Sequence, residues 1–87
     1  MKIRKRDGRI KDYDPIKIKN ALKQCFKQNN LEFDLRVFQI IVETLENKKK
    51  DIVDVEDIQD LVVEKLGLFY PILAKSYQEY REERASI

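Results

Sequence analysis

Apolar residues recur at helical spacing in four stretches of the chain, and a charged stretch with isolated isoleucines precedes them. Residues 2–13 carry Ile3 and Ile10 on either side of Asp7-Gly8, amid Lys and Arg. Asp-Gly is a strong two-residue turn signal because both positions tolerate positive φ. A hairpin of residues 2–6 and 9–13 is therefore predicted, with Ile3 and Ile10 helping to cover a core. Asp14-Pro15 then opens a helix, as an N-cap followed by a residue whose missing N–H would go unpaired anyway. Ile18, Ala21, Leu22, Cys25 and Phe26 form its apolar face, and Asn29-Asn30 ends it. Asp34 caps a second helix with an inner stripe of Leu35, Phe38, Ile41, Val42 and Leu45. Lys48-Lys49-Lys50 closes that helix, where cations meet the negative end of the dipole.

The short β-branched run Asp51-Ile52-Val53 reads as a third strand. Asp54, with Asp57 three residues on, resembles a capping box for a third helix. That helix carries Val55, Ile58, Leu61, Val62 and Leu66, with Gly67 at its C-cap. Pro71 starts a last helix through Arg84, with Leu73, Ala74, Tyr77 and Tyr80 on one side. The fold class is thus α+β, a four-helix bundle with a small sheet, and residues 1–87 form one domain. Eighty-seven residues bury one modest core, so the domain is marginal without help from a ligand or partner.

Composition narrows the chemistry. Apolar residues are 43% and charged residues 39% of the chain, which fits a globular domain with a heavily charged surface. With no histidine and one cysteine, Cys25, there is no material for an internal disulfide, a Cys/His zinc site, a Ser-His-Asp triad or a Cys-His pair. Cys25 reads as a small core residue. No apolar run approaches the ~20 residues of a membrane span, and the charged N-terminus leads into no signal-like stretch. A cytoplasmic, reducing compartment is expected. The formal charge of +2 hides an asymmetry: residues 1–28 hold ten basic and three acidic side chains, the remainder eight and thirteen. A cationic N-terminal third points to an anionic partner (nucleotide, nucleic acid or acidic protein) or to a solvated basic face.

Within that third, Lys5-Arg6 lies on the hairpin, and Lys17 on the first turn of the helix opened by Asp14-Pro15. Free N–H groups at a helix start, flanked by ammonium and guanidinium groups, favour phosphate. The G-x-x-x-x-G-K-[ST] pattern of NTP-hydrolysing sites is absent. On these residues alone, a nucleotide cradle and an unliganded basic hairpin both remain open.

The run Lys5-Arg6-Asp7-Gly8-Arg9 followed by Tyr13-Asp14-Pro15-x-Lys17-Ile18 resembles the opening of the ATP-cone, a regulatory nucleotide-binding module of many ribonucleotide reductases and of their transcriptional repressor. The segment from Val55 to Val62, and Ala74-Lys75-Ser76-Tyr77-x-x-Tyr80-Arg81-Glu82-Glu83-Arg84, are similar to the family's third and closing helices. The repressor's zinc ribbon has no counterpart here, so a reductase cone without its catalytic domain is favoured. The resemblance implies a nucleotide between sheet and helices: Lys5, Arg6 and Lys17 on the phosphates, Ile3 and Ile18 flanking adenine, and Lys11 and Asp14 at its polar edge. It also implies Gln59 near the ribose and phosphates, with Arg84 reaching the phosphates. Where some relatives carry a hydroxyl residue and a histidine, this chain has Val55 and Gln59.

Each residue also has a plainer role: Asp14 as N-cap, Ile3 and Ile18 as core, Gln59 as a solvated helix residue and Arg84 as a cation at a helix end. The implied ligand is ATP or dATP, with or without Mg²⁺, and neither a redox cofactor nor catalysis is implied. The implied partners are the catalytic domain and subunits of a ribonucleotide reductase. The rival reading is a small nucleic-acid-binding domain, disfavoured because Tyr13 is the hairpin's one aromatic.

Overall fold

The computed structural model describes residues 1–83. Its elements are β1 (Lys2–Arg4), β2 (Ile10–Asp12), α1 (Pro15–Gln28), α2 (Leu35–Asn47), β3 (Ile52–Asp54), α3 (Val55–Phe69) and α4 (Pro71–Glu83). The α+β class and the order of elements follow the sequence pattern. The helices close into a ring, α1 on α2, α2 on α3, α3 on α4, and α4 back on α1.

Each helix puts one i, i+4, i+8 row into the centre, the spacing that aligns side chains on one face. The rows are Ile18, Leu22 and Phe26; Val37, Ile41 and Leu45; Ile58, Val62 and Leu66; and Leu73, Tyr77 and Arg81. Arg81 is a buried cation in a place that the other rows give to an apolar residue. Cys25 is buried and free, its thiol pushed up by burial, and its Sγ–H lies 3.6 Å from the Leu73 carbonyl.

The three strands are ordered β2-β1-β3, with β1 antiparallel to β2 and parallel to β3. Ile3 and Val53 pair across β1 and β3 and are buried, so the inner face of the sheet seals one end of the bundle. Arg4 and Asp54, the next pair, point outward and form an ion pair at 2.9 Å.

The hairpin differs from expectation by one residue. Gly8 N–H donates to the Lys5 carbonyl at 2.9 Å and Lys5 N–H to the Arg9 carbonyl at 2.7 Å. Gly8 (φ 89°) has positive φ and Asp7 does not. The loop is therefore the three-residue kind, a tight turn closed by a left-handed glycine, rather than a two-residue turn. Asp7 serves it by accepting from Arg9 N–H at 3.1 Å and from Arg9 Nε at 2.7 Å. The register consequence is large, because a slip of one residue moves every side chain of a strand to its other face. Ile3 pairs with Lys11, and Ile10 pairs with Arg4 and is 46% exposed. Ile10 thus turns outward instead of covering the core.

Three helix details also change. In α2 the buried row starts at Val37, and Leu35 is exposed. The Asp34 cap accepts from Arg36 N–H at 3.0 Å and from the Tyr70 hydroxyl at 2.8 Å, which ties the helix start to the α3–α4 corner and fixes its rotation. In α3, Asp54 is the N-cap residue but makes no side-chain cap bond; its carboxylate is held by Arg4 instead. Gly67 lies inside α3, which continues to Phe69. The stop comes from Pro71, because the residue before a proline avoids helical backbone; Tyr70 (φ −141°, ψ 76°) takes that break.

Candidate functional site

Strand parity builds the first half of the site. Ile3 and Lys11 are paired, and Lys5 and Arg9 are joined across the loop mouth two residues further on. Residues two apart share a face, so Ile3, Lys5, Arg9 and Lys11 lie on one face of the hairpin, with Ile3 buried and Arg9 and Lys11 exposed. Lys17 completes the group from the first turn of α1, its N–H bonded to the Asp14 carbonyl at 3.1 Å. Burial pushes the Lys5 ammonium pKa down, and the charges of Lys17 and Arg9 push it further; Asp7 opposes and Lys11 adds a smaller push. Four cations therefore gather at one corner, beside a helix start with no acid in its first turn. The Asp14 side chain accepts from Ile16 N–H at 3.0 Å, the N-cap role expected of it. Ile18 is fully buried and Ile3 is 4% exposed, so the core role of both is realised.

Arg6 goes the other way. Its guanidinium meets Glu56 on the first turn of α3 in a two-pronged pair, Nε to Oε2 at 2.8 Å and Nη2 to Oε1 at 2.9 Å. Nη2 also donates to the Arg81 carbonyl at 3.1 Å. Arg81 donates to Glu56 Oε1 at 3.1 Å, to the Glu56 carbonyl at 3.2 Å and to Asp60 at 2.7 Å. Gln59 lies fully buried behind this cluster. It accepts from the Tyr77 hydroxyl at 2.9 Å, and its amide nitrogen lies 3.5 Å from Glu56 Oε1. No buried side-chain nitrogen or oxygen lacks a partner among the described residues. An open groove of about 330 Å³ lies between the hairpin, with Arg4, Lys5, Arg6 and Gly8, and the β3–α3 junction, with Asp54, Val55, Glu56 and Asp57.

The structure therefore brings Lys11 and Lys17 near Lys5, places Lys5 and Arg6 together on the hairpin wall of the groove with Arg6 turned to Glu56 on the opposite wall, and sets Gln59 behind that opposite wall with no exposed surface. Arg84 lies outside the described residues. Sequence reasoning missed Glu56 and Arg81. The signal for Arg81 was present, since it stands four residues after Tyr77 and eight after Leu73. A cation on a buried stripe must be paired.

Glu56 gives this cluster a pH signature. The Arg6 fork, then Arg81, outweigh burial and hold its carboxyl down to about 2 from an ordinary 4.5. A carboxyl lowered by folding stabilises the fold above its unfolded pKa and loses that contribution as pH falls toward the folded value. Urea midpoints should fall between pH 4.5 and 2, and Glu56→Gln should flatten part of that fall, by about 1 kcal/mol after solvent screening of a carboxylate 43% exposed. Parallel acid titrations of the two proteins would show that Glu56 contributes nothing.

Among the described residues, no group of three or more His, Cys, Asp or Glu is placed to hold a metal, and no helix is long and apolar enough to cross a membrane. The family model of the ATP cone domain matches residues 1–86. None of the curated proteins compared with the chain matches it.

Proposed function

The chain belongs to the ATP-cone family, and from that premise we propose that it binds ATP and dATP as the overall-activity switch of a ribonucleotide reductase. An ATP cone is a nucleotide-binding regulatory module and not a catalytic one. The observation that carries the reading is the gathering of Lys17, Arg9 and Lys11 about a partly buried Lys5. Like charges so arranged repel one another, and a polyphosphate removes the repulsion while accepting charge-assisted hydrogen bonds. The donor set fits a triphosphate: the ammonium groups of Lys5 and Lys17 and, beside Lys5 on the hairpin wall of the groove, the guanidinium of Arg6. The α3 start is a poorer place for phosphate because Asp54, Glu56 and Asp57 line it.

In this reading Lys5, Lys17 and Arg6 hold the phosphates. Lys11 and Asp14 meet the polar edge of adenine, and Ile3 and Ile18 form the apolar floor beneath it. ATP and dATP differ by one hydroxyl, so they can act differently only by stabilising different arrangements. Gln59, buried under the groove wall and bonded to Tyr77, carries the ribose-side difference to α4. The partner is then the catalytic domain of the reductase, whose subunit packing the occupant alters.

Lys17→Ala should weaken ATP binding about tenfold or more, the effect of losing a hydrogen bond to a charged group. Arg36→Ala, outside the groove on an 87% exposed side chain, should change little. Equal ATP affinities in titrations of the two variants would put the phosphates elsewhere. Sedimentation of the intact reductase with ATP and with dATP tests the switch, and identical association states would remove it.

A further inference from the structure

Arg6 reaches the phosphate groove from an unusual setting. Three of its five N–H hydrogens are already committed, two to the Glu56 carboxylate and one to the Arg81 carbonyl. The two on Nη1 are taken by no other described residue, and Arg6 lines the groove. Glu56 is itself gripped from behind, because Arg81 donates to its Oε1 and to its main-chain carbonyl. The Arg81 side chain is only 10% exposed and is fixed in turn by Asp60 at 2.7 Å. A carboxylate held by two guanidinium groups, one of them buried, cannot swing aside easily. Arg side chains are rich in rotamers, so one clamped before ligand arrives loses less freedom on binding.

Resting on the nucleotide-site reading above, we propose that Glu56 is a positioning residue for phosphate binding. Braced by Arg81, it clamps the Nε/Nη2 edge of Arg6 so that the Nη1 edge faces the groove. Glu56 touches no ligand in this arrangement. It acts through Arg6 and links the phosphate end of the site to the last turn of α4 through a contact spanning the hairpin, α3 and α4.

The test is a double-mutant cycle read by ATP titration of the chain. Arg6→Ala should weaken ATP binding about tenfold to a hundredfold, the range for hydrogen bonds to charged groups. Glu56→Gln keeps the side-chain shape but loses the two-pronged pair, and should weaken binding roughly threefold to tenfold. In the Arg6→Ala background, Glu56→Gln should have no further effect on affinity, an outcome that general destabilisation would not produce. Ile41→Val, in the fully buried row of α2 and away from the groove, serves as the stability control, expected to lower the melting temperature and leave the affinity unchanged. If Arg6→Ala weakens binding while Glu56→Gln leaves it unchanged, or makes it tighter, the positioning role is overturned; tighter binding would make Glu56 a competitor of the phosphate. A Glu56→Gln loss that persists in the Arg6→Ala background overturns it as well. Unchanged affinity in Arg6→Ala itself overturns the assignment of Arg6 to the phosphates, which is the reading underneath.

Discussion

ATP and dATP should raise the melting temperature of this chain by about 10 °C or more at a hundred times their dissociation constants, while GTP and CTP should leave it nearly unchanged. A ligand that binds only the folded state adds ~2.7 kcal/mol at that saturation. In a domain of 60–100 residues, each kcal/mol shifts the midpoint by about 4–8 °C. The effect is large because the fold is small and its cationic corner is destabilised by its own charges. Lys5, Lys17, Arg9 and Lys11 press on one another in the free protein, and a triphosphate converts that repulsion into attraction. Charge alone would reward any nucleoside triphosphate, so the comparison among bases isolates recognition at Lys11 and Asp14. Thermal melts with the four nucleotides decide it. Equal shifts would reduce the site to a polyphosphate trap, and no shift with any of them would remove the site.

Phe26→Ala should cost about 3–5 kcal/mol, the usual range for truncating a buried aromatic residue. Phe26 is fully buried at the end of the α1 row. Its ring meets Phe33 edge-on at 5.8 Å and Tyr70 at 5.1 Å, so it joins α1 to the loop before α2 and to the α3–α4 corner. Removing it opens a cavity at a junction that three segments share. Domains hold only ~0.05–0.15 kcal/mol per residue, so this one substitution removes a large share of the total. Because the ligand binds the folded state, saturating ATP should restore much of what is lost. Urea unfolding of wild type and variant, with and without ATP, measures both effects. A loss under about 1 kcal/mol would mean that the ring cluster tolerates collapse around the gap.

Family, fold class and element order were legible along the chain because their signals are local. Asp14-Pro15, Asp34 and Pro71 set three helix starts through bonds to residues two to four positions away, and Asp7-Gly8 announced a turn. The Lys5-Arg6 and Tyr13-Asp14-Pro15-x-Lys17 runs carried the resemblance that the family match bears out. The tertiary structure decided what depends on distant partners. One extra loop residue put Lys11 and Arg9 on the face of Ile3 and turned Ile10 to the other, because strand parity passes a local difference along a whole strand. Tyr70, 36 residues from Asp34, set the rotation of α2.

The Arg6–Glu56 pair spans 50 residues and the Arg6–Arg81 contact 75, separations over which spacing rules are silent. Short-range patterning therefore determined the elements and the residue types at the candidate site. Which way Arg6 faces, why Arg81 is buried and why Gln59 has no surface were decided only when the hairpin, α3 and α4 met. A buried charge must find its partners wherever the fold brings them.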